Sequence, residues 1–187
     1  MDAFATADDL AARLNRTFTD DEAAWIDTLL EDASAYLRED VLGLQVYPQA
    51  TATFVAYPGS GEIDLPQSPV VSVDSVQVNG TDTSYTRYDN TLYVGTNEPV
   101  SVTFTYGYEE PPASLKRWAC VLVSQALIPL ELKLGLTAGG LSSVAIDDFK
   151  ASFADAGEAT GMQLSERNIT QLRAAFGRPA THVVGTR

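Results

Sequence analysis

The chain has 187 residues, 45% hydrophobic and 20% charged, with a net charge of −13 and a single cysteine. That length and apolar content allow a packed core in one domain, or in one domain with a sizeable insertion. The acidic balance opposes phosphate-driven nucleic-acid binding, the lone thiol excludes an intrachain disulfide, and no run approaches the ~18 apolar residues of a membrane span. The N-terminal "MDAFATADDL" lacks the basic region and apolar core of a secretory signal. Charge is unevenly spread: residues 1–40 carry −8, 41–110 carry −7, 111–159 carry −1 and 160–187 carry +3. Only the C-terminal end is basic, through Arg167, Arg173, Arg178 and Arg187 against Glu166. Four such charges are too few to make a DNA-binding surface and suit an acidic protein partner equally well.

Thr6-Ala7-Asp8-Asp9 marks the start of a short helix running to about Arg16. Thr19-Asp20-Asp21-Glu22 is a stronger signal: a Thr cap with Glu three residues on, and acids at the positive end of a helix dipole. Ile26, Leu29, Leu30, Ala33 and Leu37 then recur at helical spacing. They predict a helix over about 20–40 that ends at Gly43.

From about Ala50 to Tyr108 the period changes to two. "TATFVAY", "VVSVDSVQVNG", the two runs of "SYTRYDNTLYVG" and "PVSVTFTYGY" read as strands. Asn79-Gly80 is a hairpin turn signal, and "YPGSGEIDLPQSPV" is rich in turn residues. Five or six short strands in this span predict a small antiparallel sheet or barrel inserted between helices.

After Pro111-Pro112, Ser114 is the expected cap of the most apolar helix, over about 114–134. Leu115, Trp118, Leu122 and Ala126 trace one face, and Ala119, Val123 and Leu127 widen it. Pro129 is expected to kink or interrupt it, and Gly139-Gly140 to break the chain. "SSVAIDDFKASF", residues 142–153, alternates in one phase through Val144 and Ile146 and in the other through Phe149, Ala151 and Phe153. With Asp147-Asp148 as a two-residue loop, Ile146 faces Phe149 and Val144 faces Ala151, all on one side of a short β-hairpin. A bulge is the alternative. An isolated hairpin is marginal in water, so that apolar face must pack against its own long helix or another subunit. A last helix is expected over about 165–176, stopped by Gly177, with an extended tail over 178–187. The fold class is therefore α+β: helices over 1–48 and 109–187, with a β-rich insertion over 49–108.

Catalytic chemistry is hard to assemble from this chain. The one histidine, His182, lies near the end, and Cys120 sits in the apolar "WACVLVSQAL", where a buried structural thiol is the expectation. Cys and His metal sites of structural type are excluded by count. Asp8-Asp9 and Asp20-Asp21 read as helix N-terminal residues, and Glu109-Glu110 and Asp147-Asp148 as solvated turns or caps. The glycines of "YPGSGEI" and "TAGGLS" lack the phosphate-binding setting and read as turns. Nothing joins a nucleophile, a base and an orienting group, so no enzyme and no cofactor are expected.

Three segments, in order, resemble the head-to-tail adaptor (connector) proteins of long-tailed bacteriophages, particularly those of actinobacteria. They are "ATADDLAARLNRTFTDDEAAWIDTLLEDASAYLRED", "YGYEEPPASLKRWACVLVSQAL" and "SSVAIDDFKASF…LSERNITQLRAAFGR", together about half the chain. Many relatives have a ribbon centre like Gly-Asp-Tyr-Ser, where this chain has Asp147-Asp148-Phe149-Lys150. The β-rich stretch is larger than the short linker of compact members. The resemblance implies a structural virion protein in the neck, made in the host bacterial cytoplasm. Such adaptors form a ring, generally twelve-fold, below the portal protein, extend the DNA channel, and meet a stopper or tail-terminator protein beneath. DNA passes the lumen without sequence-specific binding, and no membrane is involved. The C-terminal segment of the family typically reaches into the portal; here that would be Arg178, His182, Val183, Val184 and Arg187. The hairpin residues Val144, Ile146, Phe149 and Phe153 are then expected at the contact between subunits. From the residues alone, the tyrosines of the strands leave a second expectation: a carbohydrate- or receptor-binding β-module on a helical support. For Tyr85, Tyr88, Tyr93, Tyr106 and Tyr108 the plainer reading is cross-strand packing.

Overall fold

The computed structural model describes residues 2–133 and 163–177. It is an α+β protein that divides into two compact units, Met1–Val41 with Pro111–Thr170, and Leu42–Glu110 with Gln171–Arg187.

The helical unit begins with α1 (Ala7–Leu14) and α2 (Asp20–Tyr36), each opened by a complete capping box. Thr6 and Asp9 exchange side-chain-to-backbone bonds at the first, Thr19 and Glu22 at the second, so orphan N–H donors are satisfied at both starts. Asn15, at φ 50, closes α1 in the left-handed conformation. Asp27 of α2 accepts the Ala7 N–H at 2.8 Å, which ties the start of α1 to the middle of α2. Nearby, the Phe4 N–H donates to Ser34 Oγ, and that hydroxyl donates to the Leu30 carbonyl.

The helix predicted over 20–40 continues past Tyr36 as a π-helical stretch, Leu37–Leu42. Buried pairs recur every four residues here, Ala33-Ser34, Leu37-Arg38 and Val41-Leu42, while Glu39 and Asp40 are exposed. A 3.6-residue turn would rotate such a stripe off its face; a wider turn holds it. Arg38 is buried, with its guanidinium 4.5 Å from the Phe4 ring centroid and donating to the Asp2 carbonyl. Gly43, at φ 64, follows the stretch where a stop was expected.

The long helix α3 (Ala113–Lys133) packs against α2, although the β-rich region separates them in sequence. It starts one residue before the expected Ser114 cap, because the Pro112 carbonyl accepts the Lys116 N–H at 3.0 Å. It also runs through Pro129 without interruption. Leu115, Ala119, Leu122, Val123 and Ala126 are fully buried, as are Phe4, Leu10, Ile26, Leu30 and Ala33. The last helix, α4 (Glu166–Phe176), starts after Ser165, whose carbonyl accepts the Ile169 N–H at 3.0 Å. It ends at Gly177, whose N–H returns to Arg173 O.

The β-rich unit has seven strands among the described residues. A four-stranded antiparallel sheet has the order β1 (Ala50–Ala56), β7 (Val100–Tyr106), β3 (Val70–Val78), β4 (Thr81–Asp82). A three-stranded antiparallel sheet has the order β2 (Glu62–Asp64), β6 (Thr91–Val94), β5 (Tyr85–Tyr88). Asn79 and Gly80, both at positive φ, make the turn between β3 and β4. One apolar core takes Val76, Val100, Val102, Phe104 and Tyr106 from the larger sheet and Ile63, Leu92 and Val94 from the smaller. Phe54 and Phe104 meet edge-to-face within it, centroids 5.7 Å apart.

The expected hairpin over 142–153, the Gly139-Gly140 break and the tail over 178–187 lie outside the described residues.

Candidate functional site

Among the described residues, Cys120, Asp9 and Glu22 each have a structural occupation. Cys120 is buried, and desolvation pushes its thiol pKa up, which Arg13 and Lys116 only partly offset; the thiolate needed for reactivity is disfavoured. Burial works to raise the Asp9 carboxyl, but hydrogen bonds from Lys116 and Thr6 and the Lys116 charge outweigh it and hold Asp9 below the usual range. The Lys116 ammonium lies 2.9 Å from its carboxylate, joining α3 to α1. Glu22 is lowered first by the Thr19 N–H, against desolvation, with help from the Thr19 hydroxyl and from Arg16, 2.9 Å away. Asp20 and Asp21 fill the first turn of α2, and Glu109 and Glu110 are exposed ahead of α3. These carboxylates act as caps, bridges or solvated groups. Among the described residues no group of three or more His, Cys, Asp and Glu side chains is placed to hold a metal ion, and no helix is long and apolar enough to cross a membrane. A depression of about 380 Å³ is lined by Leu42, Gly43, Arg173 and Gly177, a set without nucleophile or base.

The glycines of "YPGSGEI" are turn residues. Gly61, at φ 80, donates to the Pro58 carbonyl and accepts from Val94, and a Cβ there would lie 2.8 Å from Val94 O. Gly107, at φ 87, closes the exit from β7: its N–H donates to Pro69 O, and Tyr108 N–H donates to Val46 O.

What remains is surface, and the two sheets present different ones. The outer face of the larger sheet carries a row of hydroxyls. Thr51 meets Thr105 at 2.9 Å and Thr53 meets Thr103 at 2.8 Å across the β1–β7 pairing. Because Thr105 donates to Asp74, 2.9 Å away, Thr51 is the donor in its own pair. Val55 is exposed on this face, and β1 is an edge strand of seven uncharged residues. Such an edge is a template for strand addition.

The smaller sheet alternates cleanly. Ile63, Leu92 and Val94 point into the core, while Glu62, Asp64, Thr86, Tyr88, Thr91 and Tyr93 share the outer face. The tyrosines thus divide: Tyr106 is buried in the core, whereas Tyr85, Tyr88, Tyr93 and Tyr108 are exposed. Tyr106 packs in the core, while Tyr88 and Tyr93 pack on each other across β5 and β6 and remain exposed. The signal in the sequence was the period of two in "TLYV", where Leu92 and Val94 share a phase that excludes Tyr93.

The hairpin residues Val144, Ile146, Phe149 and Phe153 and the tail residues Arg178, His182, Val183, Val184 and Arg187 lie outside the described residues, so the structure neither assembles nor separates those two groups.

No family model and no curated protein matches the chain. Among solved structures, a chain from the neck of an empty GTA particle computed with C6 symmetry is similar, at 15% identity and a TM-score of 0.47, over 76% of this chain and 87% of that one.

Proposed function

We propose that this chain is a structural virion protein, a head-to-tail adaptor that forms a ring below the portal, extends the DNA channel and links capsid to tail. The observation that carries the reading is the packing of α2 against α3 across the inserted β-rich stretch. It brings together helices from the first two segments that resemble the adaptors, which supports reading the β-rich stretch between them as an insertion. In this reading 1–48 and 109–187 form the adaptor core, and 49–108 is an insertion. The protein carries no catalytic residues and needs no cofactor.

The partners proposed are the portal, a stopper or tail-terminator protein, and further copies of the chain in a ring of twelve. Val144, Ile146, Phe149 and Phe153 would serve the contact between copies, a heterologous interface repeated about an axis. Arg178, His182, Val183, Val184 and Arg187 would serve the portal. The surplus of carboxylates suits a channel that DNA crosses without sticking, since like charge repels phosphate where a basic lining would hold it. The uncharged edge of β1 supports a second mode of assembly by strand addition.

Electron microscopy of the protein mixed with its portal tests this reading. Stoichiometric rings with an acidic lumen are the expected outcome. A strongly basic lumen, or no association together with a stable sugar complex, would overturn it; the latter would favour a carbohydrate-binding β-module, the reading that the exposed Tyr57 and Tyr88 support.

A further inference from the structure

The outer face of the smaller sheet joins two aromatic rings to two carboxylates. Tyr88 is 67% exposed and Tyr93 42%. Their rings meet edge-to-face, centroids 5.7 Å apart and planes at 78°. Glu62 pairs with Tyr93 across β2 and β6, and Asp64 pairs with Thr91, whose hydroxyl donates to it at 2.8 Å. Directly paired residues share a face with Cβ atoms about 5 Å apart, so Glu62 lies beside Tyr93, while Asp64 lies beside Thr91, on the same face with Thr91 between it and Tyr88. Neither carboxylate has a cationic partner among the described residues.

Charge on this face is not balanced locally. Arg87 is the sole Lys or Arg between residues 41 and 110, against eight Asp and Glu. It pairs with Leu92 and so belongs to the opposite side of the sheet. Its Nε donates to Asp89 O at 2.8 Å and its Nη2 to Val70 O at 2.9 Å. The one cation of residues 41–110 is thus held away from the face.

We propose that this face docks an arginine-bearing segment of a different protein. A guanidinium stacks on a tyrosine ring and at the same time offers its N–H fork to an adjacent carboxylate. Tyr93 beside Glu62 offers that combination, with the Tyr88 ring against Tyr93 and Asp64 farther along the same face. A lysine ammonium has no planar fork and gains less. Nucleic acid is repelled by the carboxylates. A sugar could also stack on one exposed ring, but the carboxylate beside Tyr93, without a cationic partner among the described residues, favours a cation. Copies of this chain carry a net charge of −13 and repel one another.

The test is a titration of the full chain with a short peptide carrying Arg-Gly-Arg, followed by NMR. Lysine and citrulline versions, a peptide of residues 178–187 and a set of oligosaccharides serve as comparisons. Shifts are expected at the Tyr88 and Tyr93 rings and along Glu62–Asp64, weakening with salt. Tyr88→Ala, and Glu62→Gln with Asp64→Asn, should each lower the affinity about tenfold, while Tyr88→Phe keeps it. Asp82→Asn with Glu98→Gln removes the same charge elsewhere and should change affinity less than about twofold. Unchanged thermal unfolding of each variant shows that the fold is kept. Equal weakening by both double variants, or equal binding of the citrulline peptide, would sink the proposal. Tighter binding of the 178–187 peptide would make a second copy the occupant, and oligosaccharide shifts at Tyr88 and Tyr93 would make it a sugar; either result overturns the proposal. None of these outcomes depends on ring formation.

Discussion

Gly107 shows how one residue can fix a connection. At φ 87 an L side chain is strained, and a Cβ would lie 3.0 Å from Pro48 O and 3.3 Å from Gln49 Cα. Backbone oxygen cannot turn aside as a side chain can. The Gly107 and Tyr108 N–H groups both bond here, to Pro69 and Val46, so relaxing the strain would also stretch those bonds. Gly107→Ala should therefore destabilise the β-rich unit by about 1–3 kcal/mol, seen as a lower midpoint in denaturant-induced unfolding. Gly43 lies equally in the left-handed region, but no atom comes within 4 Å of its Cβ position. The same substitution there meets conformational strain alone.

At the scale of elements, the capping boxes explain why two short acidic segments become helices. The Thr19–Glu22 exchange satisfies donors at the start of α2, and it lowers the Glu22 pKa through the Thr19 N–H and hydroxyl and through Arg16. A carboxyl whose folded pKa lies below its unfolded value contributes stability that is fully present above the unfolded pKa. That stability is lost as pH falls through the folded value. Thr19→Ala should cost about 1 kcal/mol at neutral pH by thermal or denaturant unfolding. The gap between variant and wild type should narrow below about pH 4, where protonating Glu22 weakens the wild-type box as well. A gap that stays constant through that range would show that Glu22 does not depend on Thr19. The π-helical stretch after α2 works at the same scale, since it holds the four-residue recurrence of buried pairs on one face.

For the whole molecule, assembly is the question, and the proposed subunit contact supplies its prediction. If Phe149 packs between copies, Phe149→Asp should abolish ring formation on the portal while leaving monomer unfolding unchanged. Electron microscopy and a thermal melt of the same sample separate the two effects. Unfolding of the isolated monomer by this substitution would place Phe149 in the monomer core instead. The β-rich unit has its own core, built from both sheets. The proposed arginine-binding face and the ring contact can therefore be tested independently.

The sequence by itself determined the class and most of the elements. The Thr19-Asp20-Asp21-Glu22 cap, the Asn79-Gly80 turn and the stop at Gly177 are local chemistry, decided within a few residues of chain. Helical and two-residue periods likewise marked where helices and strands lie. Helix α3 starts one residue earlier than Ser114 predicts because the Pro112 backbone carbonyl, which any residue can supply, accepts the first helical bond. The interruption expected at Pro129 did not occur: loss of one backbone donor weakens a helix locally, whereas the buried face from Leu115 to Leu127 holds the preceding turns. Only the tertiary structure decided which strands pair, that β1 lies at an edge, and that Glu62, Asp64, Tyr88 and Tyr93 share one face. Those facts depend on register between segments far apart in the chain, and a register shifted by one residue would turn the same tyrosines into core.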